Sequence, residues 1–377
     1  MKILHVSSVP ISYPGGTEKV IWELARRQAK KNKVTILQTN LYEEKKKFKR
    51  RYLKEGIEII TCKNDFFLGG FGYSREFVRK LKEIWANFDI VHVHGHGRFT
   101  SNFSLKFLHK KKPIIYSPQG FFHDKKNSFF KKMYNLIFKG RLRFATFSTG
   151  LTENDYKTFE SLGIARESVR IIPCGIETEK FREVNKKNIL KFKRKYGLSK
   201  KTLLYVGRIH ESKGLQYVIK SIKDIDCKLL VVGYDAGFKK DLTHLIEKLD
   251  LGDKVIFTGK LGDEDLARAY FSSDAFVLFS EWEGFGIVVL EAMASGLPVI
   301  VSDRGALPTL IKNRENGLIA KFPNVKELEK QIKLLFENKK LNQKIKKSGQ
   351  IFVKNFKYPK ISKQYRKLYE KAIKKNG

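Results

Sequence analysis

Short runs of β-branched and aliphatic residues alternate along this chain with longer stretches whose apolar positions recur every three or four residues. Continuous apolar runs predict strands buried on both faces, and the amphipathic stretches predict the helices that cover them. The alternation therefore predicts βαβ units with parallel sheets rather than a sandwich or a bundle. The first series of strands reads KILHVSSV from Lys2, KVTILQTN from Lys33, IEIITCK from Ile57, DIVHVHG from Asp89, PIIYSPQG from Pro113, RFATFSTG from Arg143 and VRIIPCG from Val169. A second series starts afresh with TLLYVGRI from Thr202, KLLVVGYD from Lys228, KVIFTGKL from Lys254, AFVLFS from Ala275 and PVIVSD from Pro298.

The restart predicts two doubly wound domains, as does a length of 377 residues, too great for one compact core. Between the series lies IIPCGIETEKF, Ile171 to Phe181, an extended segment punctuated by Pro173 and Gly175, which places the linker there. After Val325 the pattern is helical to the end. A break near Asn355 to Pro359 precedes a last amphipathic helix, ISKQYRKLYEKAI, long enough to return to the first domain. The expected boundaries are 1–175, 176–355 and 356–377.

Charge changes the picture in one respect. Lys and Arg number 76 against 39 Asp and Glu, a net +37 spread along the chain, which points to an anionic partner. No zinc-finger, basic-zipper or aromatic ribonucleoprotein signature accompanies the excess, so nucleic acid is not the expected partner. A Lys-rich surface equally suits growth at high temperature. Cys62, Cys174 and Cys227 are odd in number, far apart and form no C-x-x-C pair, which predicts a reducing cytoplasm and no metal knuckle. The N-terminal apolar run is too short for a signal peptide. The longest apolar run, Ile287 to Val301, is broken by Glu291, Gly296 and Pro298 and cannot span a bilayer. A cytoplasmic protein is expected, with any membrane contact peripheral at the inner face.

In open α/β sheets ligands bind beyond the carboxyl ends of the strands, so the turns there carry the candidate chemistry. In EWEGFGIVVLEA a strand ends, the turn EGFG follows, and a helix restarts at Ile287 whose first amides lack partners and attract anions. Gly284 and Gly286 let backbone approach a ligand closely. Glu283 points out of the turn, and Glu291 lies about one and a half turns inside the helix. The pair suits acceptance from sugar and ribose hydroxyls better than acid–base hydrolysis, which needs both carboxylates at one reacting centre. The plainer alternative is a helix-end charge at Glu283 and an exposed Glu291. At the same sheet edge, VGRIHESKG places Arg208 and Lys213 around a turn between Gly207 and Gly214, a fork and a point charge suited to a diphosphate.

VGRIHESKG, FTGKL, EGFGIVVLEA with ASGLPVIVSD, and IIPCGIETEKF together resemble the retaining glycosyltransferases of family 4 over nearly the whole chain. The resemblance implies a GT-B fold, two Rossmann-like doubly wound parallel-sheet domains facing across a cleft. It implies transfer of a hexose-type sugar from a UDP- or GDP-linked donor to a glycan or lipid-linked acceptor, as in cell-surface polysaccharide or glycoconjugate synthesis. No cofactor or metal is expected. By the same resemblance Arg208 and Lys213 hold the diphosphate and Glu283 meets the donor sugar. Glu291 binds ribose, Gly284, Phe285 and Gly286 present backbone, and Gly259, Lys260 and Leu261 run along the base. In ISYPGGTEKVIWEL, Gly15, Gly16 and Glu18 resemble the acceptor-side glycine loop, with Gly16 also reaching the donor; the G-x-G-x-x-G spacing of a dinucleotide site is absent.

At YSPQGFFHD the chain departs from the family, many members of which carry a His just before the Gly where Gln119 stands. Either His123 supplies the imidazole that meets the donor sugar, or Gln119 substitutes as a neutral hydrogen-bonding group. His123 is preferred, and the expected catalytic set is His123, Arg208, Lys213 and Glu283, with Gln119 on the acceptor side. His92, His94 and His96 at strand spacing could share one face, but half-buried histidines are the plainer reading than a metal site. The stretch EEKKKFKRRYLK from Glu43 is strongly basic, and Lys125 to Phe144 carries seven basic residues and no acid. The latter reads either as an amphipathic surface helix facing anionic lipid or as ordinary core packing. Rival functions are a GT-B nucleotide-sugar epimerase or phosphorylase, which needs no organic acceptor, and a basic nucleic-acid-binding protein, which would bind regardless of nucleotide sugar.

Overall fold

The computed structural model describes residues 1–13, 15–43, 47–68, 71–120, 140–181, 184–199 and 201–376. It divides into two compact units, Met1–Gly175 with Tyr358–Gly377, and Ile176–Lys357.

The first unit contains strands β1 (Lys2–Ser7), β2 (Lys33–Thr39), β3 (Arg51–Lys54), β4 (Ile57–Cys62), β5 (Phe66–Leu68), β6 (Phe71–Tyr73), β7 (Ile90–His94), β8 (Ile114–Ser117), β9 (Phe147–Gly150) and β10 (Val169–Ile171). Eight of them form one sheet in the order β10-β9-β8-β7-β1-β2-β4-β3. Leu4, Val6, Leu37, Val91 and Val93 fill one face beneath the helices Arg75–Ile84 and Phe99–Leu108. Ile3, Ile36, Ile90 and Ile115 fill the other.

Two features depart from the all-parallel expectation. β3 runs antiparallel to β4. The turn between them is Glu55-Gly56, both at positive φ (48° and 77°), the backbone that matches the twist of a two-residue hairpin. The basic run from Glu43 thus ends in an edge strand, where exposed Arg51 and Lys54 discourage edge-to-edge pairing, and Arg51 pairs with Glu58 of the neighbouring strand. β5 and β6 form a separate antiparallel hairpin.

The C-terminal helix Tyr358–Asn376 belongs to this first unit. Ile361, Tyr365, Leu368, Tyr369 and Ala372 recur at helical spacing and are buried with Ile21, Leu24 and Ala25 of the helix Gly16–Gln28 on the isoleucine face of the sheet. Leu368→Ala should therefore cost about 3 kcal/mol. A lower urea midpoint with unchanged slope checks this, and an unshifted midpoint would mean that the helix does not stabilise the sheet.

The second unit has β11 (Lys201–Val206), β12 (Cys227–Val232), β13 (Val255–Gly259), β14 (Ala275–Leu278), β15 (Val299–Ser302) and β16 (Leu318–Ala320). They are parallel, in the order β13-β12-β11-β14-β15-β16. β16 was not foreseen, being three residues long and carrying no readable period. The strand order reverses between β11 and β14 here, and between β1 and β7 in the first unit. Loops that diverge at such a reversal leave a crevice at the carboxyl ends of the strands. Among the described residues no helix is long and apolar enough to cross a membrane.

Candidate functional site

In the second unit the predicted residues fall on both sides of that reversal. β11 ends at Val206, and Gly207 follows beneath Gly233, where any Cβ on Gly233 would run into the Gly207 carbonyl. The Tyr205 hydroxyl donates to the Arg208 carbonyl at 2.8 Å and fixes the turn. The Arg208 side chain is exposed and makes no salt bridge among the described residues. A 3-10 turn, Glu211–Lys213, then ends at Gly214, φ 70°, packed so closely on the Phe279 carbonyl that a side chain cannot enter.

Lys213 and Glu283, expected to meet different parts of a ligand, meet each other across 70 positions. Lys Nζ lies 2.5 Å from Glu Oε1, with side chains only 12% and 17% exposed. Ser280 Oγ also donates to that carboxylate at 3.2 Å, and the Glu283 carbonyl accepts from the Ala306 amide at 2.9 Å. Beside this pair Gly286, φ 90°, opens the helix Ile287–Ala294 with no side-chain cap and no acid in its first turn. The positive end of the helix is thus left for an anion. The contrast within the same unit is the helix Asp263–Phe271, whose first turn carries Asp263, Glu264 and Asp265 and is already neutralised.

Glu291 is not an exposed helix residue. It is 3% exposed, and its Oε2 accepts from the Tyr270 hydroxyl at 2.9 Å. Burial, followed by that carboxylate, pushes the Tyr270 phenol well above its usual range, so it stays a donor. Phe285 turns inward, buried against Phe356, and can offer a ligand its backbone alone. Gly284 is half-buried; Gly259 ends β13 at φ 71° with Lys260 exposed and Leu261 half-buried after it.

In the first unit the two loop glycines differ. A Cβ on Gly15 would collide with the Glu18 carboxylate, whereas Gly16, the first residue of its helix, faces open space. Glu18 is buried, which raises its pKa, against a lowering by its backbone hydrogen bond and by Arg98. Gln119 sits just past β8 at φ 55°, and its Nε2 donates to His94 Nδ1 at 3.0 Å. His123 and Lys125 to Lys139 lie outside the described residues, so the choice between His123 and Gln119 and the reading of the basic amphipathic helix rest on sequence.

The histidines are a correction. His92 and His94 share a face of β7 as expected, but His96 lies past the strand end with the Tyr116 hydroxyl 3.0 Å from its Nδ1. The third imidazole is His5 of β1, in direct register with His92. All three are fully buried, and burial holds their pKa values low, His5 at about 4. The signal that could have found His5 is a lone imidazole in an apolar strand; the pairing of β1 with β7 was not readable locally.

Comparison with known proteins places this geometry among relatives. Residues 14–180 match the family model described as Glycosyltransferase Family 4, and residues 186–352 the one described as Glycosyl transferases group 1. The chain is 29% identical over 262 residues to an uncharacterized glycosyltransferase of Methanocaldococcus jannaschii, covering 65% of each chain. It is 30% identical over 201 residues to N-acetyl-α-D-glucosaminyl L-malate synthase of Bacillus anthracis, covering 51% of this chain and 52% of that one. It thus spans less than two thirds of either relative's length. Among solved structures, Anabaena HepE in complex with UDP and glucose superposes with a TM-score of 0.81 at 18% identity, over 98% of this chain and 100% of the other, a likeness of fold.

Proposed function

The chain belongs to the family 4 glycosyltransferases of GT-B fold, and from that premise we propose that it transfers a sugar, with retention, from a nucleoside diphosphate sugar to a glycan or lipid-linked acceptor. One observation carries the reading: Lys213 and Glu283, closely paired at the β11–β14 reversal, adjoin an uncapped, acid-free helix N-terminus. A diphosphate entering there draws Lys213 and the helix amides to itself, and Glu283, released from the lysine, accepts from a sugar hydroxyl. Arg208, exposed on the same loop, adds a second cation to the leaving group, whose charge grows as the glycosidic bond breaks. Glu291, held by Tyr270, accepts from ribose. The acceptor hydroxyl attacks the anomeric carbon on the face from which the nucleoside diphosphate departs, its proton passes to the departing phosphate oxygen as the C1–O bond to phosphate breaks, and these fixed charges stabilise the departing oxygens.

A UDP- or GDP-sugar should therefore raise the melting temperature. Saturation at 100 times Kd is worth about 2.7 kcal/mol. UDP-glucose leads the screen because HepE was solved with UDP and glucose. No shift with any nucleotide sugar or nucleoside diphosphate would sink the donor assignment. Release of free sugar or epimer without acceptor would favour an epimerase or phosphorylase.

A further inference from the structure

The imidazoles of His5, His92 and His94 belong to a chain of hydrogen bonds that leaves from one short segment and returns to it, where Ser117 Oγ passes it on to Thr149 Oγ1 at 2.5 Å. Gln119 Nε2 donates to His94 Nδ1 at 3.0 Å. His94 must then carry its proton on Nε2, which lies 2.9 Å from His5 Nδ1. His5 in turn donates from Nε2 to Gln28 Oε1 at 2.7 Å, and Gln28 Nε2 donates to the Tyr369 hydroxyl at 3.1 Å. Tyr369 Oη lies 2.6 Å from His92 Nδ1 and His92 Nε2 lies 2.7 Å from Ser117 Oγ; a phenol that accepts from Gln28 and passes its own proton to Nδ1 puts the His92 proton on Nε2, toward Ser117. The chain has travelled through β7, β1, two helices and back to β8, two residues from its start. The backbone closes the same segment, with the amides of Gly95 and His96 donating to the carbonyls of Ser117 and Pro118.

A metal ion is the obvious alternative, since one nitrogen from each ring falls within 4.8 Å of the others. Every ring nitrogen already has a partner, and none of the partners is a carboxylate that could offset a buried dication. The observations favour a neutral network with fixed tautomers.

What it grips is Gln119, a non-glycine residue at positive φ beyond a strand's carboxyl end, a conformation that persists where its surroundings over-determine it. With Nε2 committed inward, the amide oxygen has no hydrogen-bond partner among the described residues. We propose that His94, backed by His5 and Gln28, is a positioning residue that holds Gln119 with its carbonyl oxygen presented to a neutral sugar hydroxyl. An acceptor oxygen backed by uncharged rings selects a hydroxyl and disfavours a phosphate or carboxylate. The role rests on the transferase reading above.

Two measurements test it. In selectively 15N-labelled wild-type protein, His5, His92 and His94 should all show the neutral Nε2–H tautomer at pH 7; the Nδ1–H tautomer, or a charged ring, in His94 would overturn the network. Once a donor and acceptor are found, His94→Leu should lower kcat/KM on the order of 10-fold, the effect of one lost positioning bond. His94→Asn, whose Oδ1 can replace Nδ1 as acceptor, should recover most of it although it packs less well. Equal losses in the two variants, tracking their melting temperatures, would reduce His94 to a packing role, and wild-type kinetics in His94→Leu would remove the role altogether. Failure of wild-type protein to transfer any sugar overturns the parent reading and this role with it, and the tautomers then report on the network alone.

Discussion

Lys213→Ala is expected to lower turnover on the order of 10²-fold, as removal of one preorganised charge stabiliser does elsewhere. The loss has two sources. The cation that meets the leaving diphosphate is gone, and Glu283, which it neutralises at 2.5 Å, is left as an unpaired, mostly buried carboxylate beside the site an anion must enter. Lys213→Ala combined with Glu283→Gln should therefore bind nucleoside diphosphate better than Lys213→Ala alone, while turnover stays low because the sugar contact is also lost. Arg208→Ala removes an exposed cation that makes no salt bridge among the described residues, so it orphans no carboxylate there, and its effect should fall mainly on the rate. Steady-state kinetics with thermal unfolding as the folding control measure all three. Wild-type turnover in Lys213→Ala would exclude the diphosphate role.

Gly214→Ala should have the largest effect on stability, about 4 kcal/mol or more. Two penalties coincide there. The residue sits at φ 70°, where a side chain is strained, and its Cβ would overlap the backbone carbonyl of Phe279, an atom held just past the end of β14. A flexible side chain could move aside; a carbonyl at a strand end cannot without parting β11 from β14. Gly252→Ala is the control, since a Cβ there meets nothing within 4 Å, and it should stay within about 0.5 kcal/mol of wild type. Denaturant unfolding of both variants decides, and a Gly214→Ala midpoint close to that of Gly252→Ala would mean that the turn is looser than its packing indicates.

The central strands were legible because a strand covered on both faces must be apolar throughout, and runs such as KILHV and TLLYV cannot hide that. The C-terminal helix was legible for a related reason, its stripe through Ile361, Tyr365, Leu368 and Ala372 having the period of a helix packed on one side. β16 and the β5–β6 hairpin were not, because three residues carry too little period. The antiparallel β3 was masked by its own edge protection, since the charges that guard an edge read as a solvated basic stretch. Site residues announced themselves through turn glycines with charges at strand ends, as with Lys213 before Gly214 and Glu283 before Gly284.

By itself, then, the chain's pattern of apolar runs determined two doubly wound units and which loops could hold chemistry, since burial and turn geometry act over a few neighbouring residues. The tertiary structure decided the partnerships. Lys213 with Glu283, Glu291 with Tyr270, His5 with His94, and Phe285 turned inward to Phe356 all join residues on different strands, helices and the turns between them. Which charges neutralise each other, and which groups are left for a ligand, depends on strand order and helix placement, and these are set by the packing of the whole sheet rather than by any local stretch.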